Sequence, residues 1–276
     1  TDKSDCPYIT RATMTKPQHE QSSGFFARVL EQPYLLLVLA PLFWGGNVVA
    51  AKLTVGQIDP FLLLASRCVL ATSFILPFAW PHLKGDWDVV RRHWLVLMAY
   101  GAVGYALFNG FLYLGLQTTT AVNSAIEQGS LPMLILGANF IIFRVRAQFI
   151  QILGVLLAIT GVVLTATHGD LMRILTLDIN AGDGFVMLAC LAYTSYTLAL
   201  RFRPKMHILS FMAVSFSGAA ITSVVMLAFS QGGLGQVATL TSAPPVVWAV
   251  IAYVAVFPSM FSQVAYARGV EMVGAN

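Results

Sequence analysis

Arg67 and Glu127 are the two charged side chains inside the long apolar runs of this chain. Each costs about 2.5–3.5 kcal/mol or more at a bilayer centre on insertion scales, so something must compensate them. If the second run leads inward from residue 60 and the fourth from residue 122, a helical rise of about 1.5 Å per residue puts Arg67 about 10 Å and Glu127 roughly 8 Å below one membrane face. The matched depths predict an intramembrane Arg67/Glu127 ion pair facing the bundle interior. Such a pair either fastens two helices or takes a direct part in handling cargo or protons. The first and third runs lead the other way and bring Asn47 and Asn109 about 10 Å from the same face. Four polar groups therefore share one layer. The amides either wall a cavity or bond between helices, an interaction worth about 0.6 and up to about 2 kcal/mol.

Trp44 lies deeper than an interfacial aromatic belt would place it, and Tyr193 does the same in the sixth run, so both either line a cavity or pack. Pro41 and Pro258 fall inside apolar runs, where with Gly45-Gly46 they permit a kink or local unwinding. Gly154, Ala158 and Gly161 form a small-residue stripe that predicts a close-packing seam. Lys52 ends the first run and can snorkel to the interface, a structural role. Other chemistry is poorly supplied. The five histidines lie apart, the cysteines Cys6, Cys68 and Cys190 have no metal spacing, and no GxxxxGK[ST] loop is present, so neither metal, nucleotide nor other cofactor is expected.

The elements that must hold these residues follow from composition. The chain has 276 residues, 57% hydrophobic and 10% charged, with mean hydropathy +0.75. Soluble chains carry about 25% charged residues, so this one belongs in lipid and has no room for a separate catalytic domain. Apolar runs cover 33–51, 61–80, 94–116, 122–143, 148–167, 184–200, 208–229 and 246–267. Their continuity and length predict eight transmembrane helices rather than barrel strands. With the N-terminus inside, Lys16, Arg28, Lys84, Arg91, Arg92, Arg144, Arg146, Arg201, Arg203, Lys205 and Arg268 fall on the inner side and only Lys52 and Arg173 on the outer. This asymmetry predicts a cytoplasmic N-terminus in an inner or plasma membrane. Scattered basic residues at span ends exclude a nucleic-acid surface.

The chain also matches itself. A shift of 149 lays Leu39–Trp44 over Leu188–Tyr193 and Lys52 over Arg201, and a shift of 154 lays Trp94 over Trp248, Asn109 over Gln263 and Gly115 over Gly269. Five helices per repeat is an odd number, so the second copy is inverted, a construction used by membrane carriers. Gln263, and Tyr196 as the counterpart of Asn47, then fall in the inner half, giving two polar layers about a midplane cavity. The offset carries residues 123–167 beyond position 276, which predicts two further helices in the complete repeat.

The WGGN of Trp44–Asn47 with VVAAKL after it, the proline-led run carrying Arg67, YLGLQTTTAVNSA, GVLLAITGVVLT and the closing YARGVEMVGAN resemble the EamA-like branch of the drug/metabolite transporter superfamily. The resemblance covers residues 33–276. It implies an all-α bundle of ten helices in two inverted five-helix halves, here C-terminally truncated to eight. It implies a first repeat over 33–167 and the first three helices of a second over 182–276, while the polar, mixed-charge and aperiodic residues 1–32 are expected to form a disordered cytoplasmic tail. The expected activity is secondary transport of small organic metabolites or drugs by alternating access, not enzymatic. The cavity is expected among Trp44, Asn47, Asn109, Glu127, Tyr193 and Gln263. Expected partners are a small-molecule cargo and the lipid bilayer, with proton or ion coupling and a homodimer left open. In place of the acid-bearing turn of many relatives stands Phe143-Arg144-Val145-Arg146. A membrane-embedded enzyme such as a lipid-modifying transferase fits the hydropathy equally, but needs a cluster of His, Asp or Glu that the sequence lacks.

Overall fold

The protein is described by a computed structural model that covers residues 32–145, 148–166 and 180–273. The expected disordered tail lies outside the described residues except for Gln32, as do Cys6, Arg146, Arg173 and the final three residues. In chain order the helices are α1 (Pro33–Leu53), α2 (Pro60–Gly85), α3 (Trp87–Gly115), α4 (Ala121–Phe143), α5 (Phe149–Ala166), α6 (Ala181–Phe202), α7 (Ile208–Ala228) and α8 (Pro245–Tyr266), the last continuing to Val273. Among the described residues, seven of these helices are long and apolar enough to cross a membrane. The remaining one, α5, has 18 residues. No strand occurs among the described residues.

Local chemistry sets the helix starts. Pro33, Pro60 and Pro245 occupy the first turn, where a missing N–H costs nothing. The Asp59 carboxylate accepts the amides of Phe61 and Leu62, and Asn180 with Asp183 forms a capping box on α6. His93 interrupts α3 with non-helical angles, so the membrane-crossing part starts close to the predicted residue 94. Pro41 leaves α1 continuous. Pro258, by contrast, lies in a π-helical segment, Phe257–Phe261, and α3 carries a second such segment at Ala102–Leu107.

Helix α7 packs along α2 and α3, the later turns of α3 lie on α6, and the end of α8 lies on α1. Glycine permits the closest crossings. A Cβ on Gly101 would stand 1.6 Å from the Ser215 carbonyl oxygen, and one on Gly218 would stand 2.4 Å from that of Met98, so α3 and α7 touch backbone to backbone. On α5, whose turns lie against the first part of α4, Ala158 is exposed and a Cβ added at Gly154 would meet nothing within 4 Å.

The two ends of the bundle differ. At one, Asp86 in the α2–α3 turn accepts the His207 amide at 2.9 Å, and the His82 and His207 rings stack at 3.6 Å. The Ser210 hydroxyl beside it, the His207 amide and the charge that His207 and His82 can carry hold the Asp86 carboxyl below the usual carboxylate range. At the other end, Lys52 donates to the carbonyls of Leu116 and Thr119, both at 2.7 Å, and neutralises the C-terminus of α3. There the Thr119 hydroxyl bonds Asp183, and the backbones at Gly115 and Gly182 meet without room for a Cβ on either.

Candidate functional site

Arg67 projects from α2 into the bundle and is 5% exposed. Its Nη1 donates to Asn109 Oδ1 at 2.6 Å, to Tyr113 Oη at 2.8 Å and to Asn47 Oδ1 at 3.2 Å. Its Nε and Nη2 donate to Ser259 Oγ at 3.1 and 2.7 Å. Four helices, α1, α2, α3 and α8, thus converge on one guanidinium.

Each partner is oriented by a further bond. Tyr113 donates its hydroxyl to Asn47 Oδ1 at 2.8 Å, Asn47 Nδ2 donates to Asn109 Oδ1 at 3.2 Å, and Asn109 Nδ2 donates to the Tyr105 carbonyl at 2.8 Å. Ser259 is placed by its neighbour. Pro258 has no N–H to offer Val254, and the Ser259 hydroxyl donates to that carbonyl at 2.8 Å, which turns its lone pairs toward Arg67. Both π-helical segments therefore touch this cluster, one through Tyr105 and Asn109 and the other through Ser259.

Beside the cluster lies a cavity of about 90 Å³, lined by Trp44, Asn47, Arg67, Asn109, Tyr193 and Gln263 among others. A second, of about 280 Å³, shares Tyr105, Tyr193 and Gln263 with it and reaches Arg203 and Ile208 at the His207 end. The walls are aromatic: Phe108 meets Tyr193 at 5.0 Å, Tyr105 stacks on Phe216 at 4.7 Å, and the Tyr105 and Tyr196 hydroxyls bond at 3.1 Å. A Cβ at Gly104 would lie 2.4 Å from the Tyr196 ring, so that glycine is what lets α6 close on α3 here.

Six of the seven residues predicted from sequence share this lining. Glu127 does not, and the predicted Arg67/Glu127 ion pair is not formed. The Glu127 carboxyl faces Asp183 on α6, its Oε2 is buried without a hydrogen-bond partner, and its backbone carbonyl receives the Cys190 thiol at 3.8 Å. Depth arithmetic gives height along a helix but not rotation about it. Gln128, the next residue, is the one that lines the cavity.

Sequence reasoning missed Tyr113, Ser259, Asp183 and Arg203. Tyr113 lies four residues after Asn109 and so on the same helix face. Ser259 follows the proline that frees its acceptor. Asp183 fell just outside a boundary drawn at 184. Among the described residues no group of three or more His, Cys, Asp or Glu could hold a metal ion.

Comparisons with known proteins agree with this architecture. The pattern of the EamA-like transporter family matches residues 32–167. The chain is 28% identical over 247 residues, 88% of its length, to the uncharacterized transporter YyaM of Bacillus subtilis (strain 168), covering 79% of that protein. It is 26% identical over 262 residues to the uncharacterized transporter YetK of the same organism, 94% of this chain and 78% of that one. An uncharacterized transporter of Archaeoglobus fulgidus is 31% identical over 139 residues, 50% of this chain and 47% of its own.

Proposed function

Because this chain belongs to the EamA-like transporter family, we propose that it is a secondary transporter that moves a small organic solute by alternating access through the Arg67 cavity. The observation that carries this reading is a cavity with a polar floor and aromatic walls that continues toward the His207 end of the bundle. At the other end Lys52, Thr119, Asp183 and the Gly115–Gly182 approach hold α1, α3 and α6 together. With the N-terminus cytoplasmic, as the basic residues suggest, this is the inward-facing state.

Two observations support two inverted halves. The helix pairs α3–α6 and α8–α1 are exchanged when the first three helices are swapped with α6, α7 and α8, and α2–α7 is carried onto itself. The shift of 154 that lays Asn109 on Gln263 also lays the π-helical segment 102–107 over 257–261. A π-helical segment is a local excess of chain that can be taken up when a helix re-packs. Rocking of the halves would then turn on these two places, both tied to Arg67. Glu127, with its unpartnered oxygen beside Asp183, is the residue we assign to proton coupling.

Reconstitution in liposomes tests the reading. Counterflow of at least one solute from a panel of carboxylates, amino acids, nucleosides, sugars and organic cations is expected. No exchange of any member by protein of verified fold would overturn it.

A further inference from the structure

We infer that the cargo is a small organic anion, a monocarboxylate with an apolar or planar body, and that Arg67 anchors its carboxylate at the cavity floor. This rests on the transporter reading for the word cargo, but the anion site stands on its own geometry.

The first argument is charge. Arg67 is 95% removed from solvent by its 5% exposure, yet every acceptor it reaches is a neutral amide or hydroxyl oxygen. A cation so placed retains its desolvation penalty until an anion meets it. Glu127 and Asp183 face each other toward the Lys52 end. Among the described residues, the lining of both cavities contains two arginines, Arg67 and Arg203, and no Asp or Glu. One cation at the floor and one near the His207 end attract an anion along the path and repel a cation.

The second argument is donor geometry. A guanidinium has five N–H groups, one on Nε and two on each terminal nitrogen. The two on Nη1 face three acceptors, whereas the two on Nη2 face only Ser259. One Nη2 hydrogen therefore has no acceptor among the described residues. A carboxylate oxygen supplies one together with the missing charge.

The third argument is that the neighbours do not need the cation. Without Arg67, Asn47 Oδ1 keeps the Tyr113 hydroxyl, Asn109 Oδ1 keeps the Asn47 amide, and Ser259 keeps its bond to Val254. The network is complete as a neutral one. A buried charge that its surroundings do not require, lining a cavity, is a ligand group rather than a clasp. The aromatic walls of Trp44, Tyr105, Phe108 and Tyr193 suit a planar or apolar body, and among the described residues the lining offers no carboxylate to an ammonium, which disfavours zwitterions.

The test is equilibrium binding of radiolabelled benzoate to the purified protein in nanodiscs, with benzamide, benzylamine and phenylalanine as competitors of the same ring and different charge. Benzoate is expected to bind about tenfold or more tightly than benzamide displaces it, since charged hydrogen bonds exceed neutral ones by that much. Arg67→Met should erase the preference, and Arg203→Gln, at the far end of the path, should slow association while leaving the dissociation rate unchanged. Equal competition by benzamide, or stronger competition by benzylamine or phenylalanine, overturns the anion assignment. Persistence of the preference in Arg67→Met overturns Arg67 as the anchor. Benzoate binding that depends on Arg67 without counterflow of any solute upholds the site and removes the transport reading. Counterflow of a neutral or cationic solute without benzoate binding does the reverse.

Discussion

Arg67 on α2 and Glu127 on α4 start from the same predicted depth and end in unlike surroundings. The arginine enters a cluster of four neutral side chains from three other helices and lines the cavity. The glutamate turns to α6, where it faces another acid, Asp183, and one of its oxygens has no hydrogen bond. Two charges that could have cancelled are held apart. In a low-dielectric bundle that arrangement forgoes the cheapest compensation, so its retention points to function at both places.

The sharpest way to break this comparison is Arg67→Met. If the cation serves cargo, benzoate binding falls more than tenfold while thermal stability is kept or raised, because the remaining bonds are closed among themselves. A fall in stability of about 3 kcal/mol or more, read by thermal denaturation in detergent, would instead make Arg67 the clasp of the bundle.

Next in size is the effect of Glu127→Gln. It should leave benzoate affinity unchanged within about twofold, as expected for a residue outside the lining, and remove the dependence of uptake on a pH gradient. Combined with Arg67→Gln it should be additive in stability, with a coupling below about 0.5 kcal/mol, where an ion pair would give more. Tyr113→Phe removes one bond to Arg67 and one to Asn47. About 1 kcal/mol of stability and roughly a fivefold loss of benzoate affinity are expected, both measurable on the same preparation.

The smallest effect lies outside the spans. The Asp86 carboxyl titrates lower in the folded protein than its ordinary value, so the stability it contributes is full above about pH 4 and is lost as pH falls through the lowered value. Asp86→Asn should flatten thermal stability against pH in the acid range and leave binding at neutral pH untouched. An unchanged acid limb would show that this turn does not sense pH.

Much of the bundle could be read directly. Long apolar runs are one-dimensional signals, and among the described residues seven of the eight predicted spans are helices of crossing length, with boundaries moved by caps such as Asp59 and the Asn180–Asp183 box. The polar residues of the lining were also legible, since a buried Asn47 or Asn109 in an apolar run is conspicuous by type alone. Ser259 was not, for serine is unremarked in membrane helices and acquires its role only from Pro258 before it and Arg67 across from it. The closest backbone approaches were not legible either: Gly101 with Ser215 and Gly115 with Gly182 meet only because packing brings α3 against α7 and α6.

By itself the amino-acid sequence determined that this protein lives in lipid, that it is helical, and which few side chains are too costly there to be idle. Those conclusions follow from transfer free energies and helix rise, which act along a single chain. Only the tertiary structure decided that Arg67 meets Ser259 rather than Glu127. Partnership depends on the rotation of each helix about its axis and on which helices become neighbours, and both are set by packing between residues as far apart in sequence as 67 and 259.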